Sequence, residues 1–263
     1  MVPEGIHVVR HYQHNPGPSV VLVHGAPDRA KNLAHVVHLL HDVPVTTYDR
    51  RGYGKSLAAG SVGPGGFEQH ADDLLQLLDG TPAIVVGQSA GGAIAMAAAI
   101  KAPHLFLALG AWEPPMVPWK WWSTIGQWEA TMKYARYHDP YQLGEDFNRN
   151  ILGDERWEAL PARTRELLRA EGVAFRADMS SQEFPFMEVE RLRVPVVIGV
   201  GTEHPHAEFA RCNRETARRT NAELYVGEGA DHFAHLGNPA VWVGLVRQTV
   251  ALARRSHPPE VFA

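Results

Sequence analysis

Two rhythms of apolar residues run along this chain. Short continuous apolar runs bounded by turn residues mark strands buried on both faces. Val20-Val21-Leu22-Val23 between Pro18 and Gly25 is one, and Ala83-Ile84-Val85-Val86 before Gly87 is another. Ile6–Tyr12, Val43–Tyr48, Leu105–Ala111, Val194–Gly201 and Glu223–Val226 read the same way. Between them the period lengthens to that of a helix. Residues 30–40 place apolar side chains at 33, 36, 37 and 40, and residues 67–78 at 67, 71, 74, 75 and 78. Helices are also predicted at Pro161–Gly172, Ala207–Thr220 and Pro239–Arg255. Strands alternating with helices predict an α/β fold, a mostly parallel sheet covered by helices on both faces.

One interval breaks the alternation. From 116 to 191 the strand signal stops, and five of the seven tryptophans gather there (Trp119, Trp121, Trp122, Trp128 and Trp157) with helix-like stretches such as Ser123–Tyr137. The expected organisation is therefore a core of residues 1–115 and 192–263 with a helical cap at 116–191.

Size and charge narrow the class. At 263 residues and 45% apolar content the chain can bury a full core, and a net charge of −4 gives nucleic acid no basic surface. A single cysteine, Cys212, allows no internal disulfide. No apolar run reaches membrane-span length and no signal peptide is visible, so a cytoplasmic protein without a membrane partner is expected. Oligomeric state is not readable.

The chemistry concentrates where a strand meets a helix. Gly87-Gln88-Ser89-Ala90-Gly91-Gly92 spells Gly-x-Ser-x-Gly between an apolar strand and an Ala-rich helix. This is the nucleophile elbow, which holds a serine in a strained, exposed turn. A serine hydroxyl needs a base, a carboxylate to orient that base, and two amide donors for the oxyanion. His232, in Gly229-Ala230-Asp231-His232-Phe233 after the last strand, is the candidate base. The amides of Ala90 and Ala26 are the candidate donors, the second in His24-Gly25-Ala26-Pro27. His24 reads as a hydrogen-bonded structural imidazole and His235 as a capping or packing residue.

Those stretches, with Asp49-Arg50-Arg51-Gly52-Tyr53-Gly54-Lys55-Ser56, resemble the α/β-hydrolase superfamily in content and order. The resemblance implies the α/β-hydrolase fold with a helical cap insertion, no cofactor, and a structural turn at Asp49. It also implies an acid after the strand that follows the cap, yet His204 stands at that place. Glu203 lies one residue early, and Glu208 further on. Glu113 follows the strand after the elbow and precedes two prolines. Its segment is similar to that of certain haloalkane dehalogenases and of the fungal lactonases that open zearalenone, which carry the acid there. Glu113 is the preferred acid and Glu203 the alternative. A serine nucleophile sets aside dehalogenases and epoxide hydrolases, which need an aspartate.

The expected reaction is hydrolysis of a small hydrophobic carboxylic ester or lactone through an acyl-enzyme. C–C hydrolysis of a diketone-type substrate, or a weakly catalytic binding or receptor protein on the same fold, are the alternatives. Trp112, Met116, Trp119, Trp122, Trp128 and Phe233 are candidate substrate contacts, and packing of the cap onto the body is the competing role for the tryptophans. Met132 and Phe147 could join such a roof. His204-Pro205-His206 lacks a third ligand, so no metal is expected.

Overall fold

A computed structural model describes residues 2–59, 65–115, 133–181, 189–203 and 207–263, with the side chains of 207–209 excluded. Seven strands form one sheet: β1 (Val8–His11), β2 (Val20–Val23), β3 (Val45–Tyr48), β4 (Ala83–Gln88), β5 (Phe106–Trp112), β6 (Val196–Gly201) and β7 (Glu223–Gly227). Their spatial order is β1-β3-β2-β4-β5-β6-β7, and β1 alone pairs antiparallel. The elbow strand β4 is therefore central, and its C-terminal end lies beside those of β2 and β5.

Side chains alternate across the sheet, as strand geometry demands. Val21, Val23 and Val85 face one layer with Leu74, Ile94 and Met96. That layer contains α3 (Phe67–Leu78), α4 (Ala90–Lys101) and α9 (Ala207–Thr220), the last presenting buried Cys212. Val20, Leu22, Ile84 and Val86 face the other with Val36, Trp242 and Leu245. α1 (Ala34–Leu39) and α11 (Pro239–Ser256) form it, with the short α10 (Ala234–Gly237) beside them. No described helix is long and apolar enough to cross a membrane.

Two expectations change in detail. The Asp49 turn runs into a short helix, α2 (Gly54–Ala58). Between β5 and β6 the described residues include four helices: α5 (Pro140–Leu152), α6 (Asp154–Ala159), α7 (Ala162–Ala170) and α8 (Gly172–Ser180). The helix predicted over 161–172 is α7, and a further helix, α8, follows it after Glu171. α5 begins with an Asp139 side chain accepting the amide of Tyr141 at 2.9 Å and a proline in its first turn, start signals its polar composition hid.

Candidate active site

Ser89 sits at the N-cap of α4 with φ 51° and ψ −123°, a positive-φ conformation costly for a residue with a side chain. Its surroundings impose this. The Ser89 amide donates to the Trp112 carbonyl at 2.8 Å, and its own carbonyl accepts the Gly92 amide at 2.9 Å. Gly91 lets α4 start against β2, since a Cβ there would lie 2.3 Å from the Val23 carbonyl oxygen.

His232 and Glu113 meet. The ring Nδ1 of His232 lies 2.8 Å from Oε2 of Glu113, whose other oxygen accepts the Gly201 amide at 2.9 Å. Glu113 is fully buried and His232 partly exposed. Glu113 also takes a positive φ, 43°, and its amide donates to the Gly199 carbonyl at 2.9 Å. The chain turns there at the end of β5, and the carboxylate swings toward the β6–β7 side. Glu203, the alternative acid, is not in this position. It is exposed, and its Oε1 accepts from the Thr202 hydroxyl at 3.4 Å. Asp231 is likewise turned away, accepting the Phe233 amide at 2.8 Å.

The 24–30 loop lies against the elbow. A Cβ on Gly25 would fall 2.0 Å from Oε1 of Gln88, the residue before the serine. Gln88 Nε2 in turn donates to the His232 carbonyl at 3.1 Å. Neither the Ala26 nor the Ala90 amide donates to an acceptor among the described residues. His24 is structural: its Nε2 accepts the Arg50 amide at 2.9 Å, so the neutral ring must donate from Nδ1, to the Gly25 carbonyl at 2.8 Å. Burial first, then the Arg50 charge, push its pKa down to about 3. His235, read as a capping or packing residue, is packed in α10. Fully buried, it places Nε2 3.0 Å from Asp28 Oδ2 and ties the base loop to the 24–30 loop.

A buried polar network joins this loop to the inserted helices, and no local pattern in the chain announces it. Arg50, fully buried, donates from Nε to the His24 carbonyl (3.1 Å), from Nη2 to the Gly25 carbonyl (2.7 Å) and from Nη1 to Asp178 on α8 (3.0 Å). Asp178 also accepts from the Tyr53 hydroxyl at 2.7 Å and meets His70 Nε2 at 2.9 Å. Burial alone would raise the Asp178 carboxyl, but Arg50 and His70 hold it well below the usual range. Earlier in the chain, Glu171 pairs with Arg29 and accepts the Gly54 amide at 2.7 Å, while burial pushes it up to about 7. Asp49, read as structural, accepts the Ala30 and Lys55 amides at 2.8 and 2.9 Å.

Among the candidate substrate contacts the outcome is mixed. Trp112 is a correction. It has no exposed surface and packs in the α11 layer beside Tyr225, because the last residue of β5 points to the opposite face from the elbow helix. Phe233 is exposed, its ring 5.3 Å from that of His232. Trp157 is fully buried within the inserted helices, where Phe147 meets Phe175 edge-on with ring centroids 4.8 Å apart. Met116, Trp119, Trp121, Trp122, Trp128, Met132, His204, Pro205 and His206 lie outside the described residues, as does the Glu208 side chain. A cavity of about 910 Å³ between β1, α1, α2 and α7 is lined by His7, Lys31, Lys55 and Arg163 among others. Ser89, Glu113 and His232 do not line it, so it is separate from this site.

Comparison with known proteins bears on the family and the fold. The family model described as "Alpha/beta hydrolase family" matches residues 20–245. The chain is 38% identical over 99 residues to the uncharacterized hydrolase YraK of Bacillus subtilis, 36% of each chain. It is 31% identical over 112 residues to the lipase LipV of Mycobacterium tuberculosis, 41% of each. The chain thus spans well under half the length of these curated relatives. Among solved structures, an esterase from Thermogutta terrifontis has a TM-score of 0.68 at 20% identity, covering 94% of this chain and 93% of that one. The enol-lactonase from Burkholderia xenovorans LB400 has the same score and identity, with 94% and 96% covered. At such identity these likenesses establish the fold.

Proposed function

The chain belongs to the alpha/beta hydrolase family, and on that premise we propose that it is a serine hydrolase cleaving a hydrophobic carboxylic ester or lactone through an acyl-enzyme. The observation that carries this reading is the 2.8 Å contact between His232 Nδ1 and buried Glu113, with the His232 carbonyl held by Gln88, the residue before a serine at positive φ. Ser89 Oγ attacks the carbonyl carbon as His232 Nε2 takes its proton. Glu113 holds the ring in the tautomer with Nδ1 protonated and balances the imidazolium that forms. The Ala26 and Ala90 amides donate to the oxyanion. Collapse of the tetrahedral intermediate expels the alcohol, which takes the proton from His232. In a lactone the alcohol stays tethered to the acyl group. Water, deprotonated by His232, then attacks the acyl-enzyme and releases the acid.

Residues 116–191 serve as a cap over this site in the same reading, with Phe233 at its edge. A lipase among the curated relatives is in keeping with an ester substrate. The ground for a binding protein is the missing carboxylate at 204, and in this reading Glu113 supplies that charge instead. Two measurements test the proposal. A fluorophosphonate should label the protein stoichiometrically, and Ser89→Ala should abolish both labelling and hydrolysis of aryl esters, a loss of roughly 10⁶-fold in kcat. Unchanged ester turnover in Ser89→Ala would sink it. Turnover of a coloured ring-cleavage diketone in place of esters would favour C–C hydrolysis.

A further inference from the structure

The Gly25–Ala26 peptide carries the proposed oxyanion donor at one end and an unusual load at the other. Its carbonyl oxygen accepts from Arg50 Nη2 at 2.7 Å and from His24 Nδ1 at 2.8 Å. A trans peptide is planar, and its C=O and N–H point in opposite directions. The cis bond in this loop is the next one, Ala26–Pro27. Whatever fixes the Gly25 carbonyl therefore fixes the direction of the Ala26 N–H. A cation on the oxygen also draws electron density away from the nitrogen, which makes the N–H a stronger donor.

We propose that Arg50 is a positioning residue for the oxyanion hole, aiming and polarising the Ala26 amide through the Gly25 carbonyl, with Asp178 of the inserted helices holding its guanidinium in place. This rests on the serine-hydrolase reading. Three features single Arg50 out. It is fully buried, so its field is not screened by water. Its planar fork is spent on three separate groups: the His24 carbonyl, the Gly25 carbonyl and Asp178. Its backbone amide donates to His24 Nε2 and so fixes the tautomer whose Nδ1–H supports the same carbonyl. A structural arginine would need only the counter-charge. This one converges with a histidine on a single peptide oxygen.

Removing Arg50 alone would strand Asp178, so the informative variant removes both charges, R50M/D178N. Deleting both partners of a buried ion pair is commonly close to neutral for stability, and the amide oxygen introduced by D178N can still accept from Tyr53. The readouts are kcat and KM on an aryl ester, and the inhibition constant of a trifluoromethyl ketone, whose adduct with Ser89 carries an oxyanion. One full donor is worth about 10²- to 10³-fold in kcat, so a weakened one should cost about 10- to 100-fold. KM should stay within about threefold, and the ketone should weaken by the same factor as kcat. Arg50→Lys, which cannot reproduce the fork, should follow the same pattern if the double variant does not fold. Asp178→Asn, which removes the carboxylate that holds the Arg50 guanidinium, should lose kcat and ketone affinity together, by up to as much as the double variant.

The inference is overturned if folded Arg50 variants keep kcat and ketone affinity within about twofold. It is also overturned if kcat falls while ketone affinity holds. Absence of any Ser89 adduct in the parent protein is a different result, which sinks the hydrolase reading itself.

Discussion

Glu113 and His232 are held by backbone that is still part of the sheet. The Glu113 amide bonds to β6, its carboxylate takes the amide of the last residue of that strand, and the base loop hangs directly from β7. The 24–30 loop is held differently. Its fixtures are side chains, most of them charged and from elsewhere: Arg50, Glu171 and Asp178, with His235 on Asp28. Half of the site is therefore rigid because strands are rigid. The other half is held by a buried polar network, and that network runs into the inserted helices. Parts of one active site can thus differ in what they depend on.

Substitutions should separate the two halves. The largest effect on the sheet side is expected from Glu113→Gln, which keeps shape but removes the charge and permits the wrong tautomer. A fall of about 10⁴-fold in kcat is predicted, with the fluorophosphonate reaction slowed in parallel. Full activity would show that the base has another partner. Gly91→Ala comes next. Its Cβ would press on the Val23 and His24 carbonyls at 2.3 and 2.5 Å, both in β2 and the loop it feeds. Loss of several kcal/mol of stability, on the order of the larger point-mutant effects, is expected by thermal or urea unfolding.

On the side-chain half, pH is the sharper probe. The unfolded His24 imidazole binds a proton near 6.5, the folded one only near 3. Protons therefore favour the unfolded chain, and the stability from neutral His24 is whole above about pH 6.5 and lost as pH falls toward 3. The total is on the order of 5 kcal/mol. His24→Gln, compared with the parent by Tm between about pH 4 and 7, should flatten that part of the slope. A parallel pair of curves would contradict it. The smallest effect belongs to Glu203→Gln, where kcat should stay within about twofold because the side chain is exposed.

The legible parts of this molecule are those written in contiguous residues. Strand runs and helical periods place the sheet, and the elbow, the His232 loop and the glycine-proline turn at 25–27 each carry their chemistry within a few positions. Glu113 is legible because Pro114 and Pro115 mark the strand end behind it. The polar network is not, since its partners are 128 and 142 residues apart and nothing local distinguishes Asp178 or Glu171 from a solvated helix charge. Trp112 misleads for a related reason. Tryptophan beside a site residue suggests a pocket, but the two-residue alternation of a strand sends neighbours to opposite faces, and here it sends this ring into the core.

Gln88 and Trp112 face each other in register, and the residue after each one takes a positive φ. The proposed nucleophile and acid thus belong to one strand–helix–strand unit, residues 83–113. Together with the 24–30 loop, every proposed catalytic group except the His232 imidazole lies before residue 114. The inserted helices interrupt the gene between those parts and the base. A change of length in that stretch would leave the spacing of serine to carboxylate as it is, while its two acidic anchors, Glu171 and Asp178, tie it to the 24–30 loop and to Arg50.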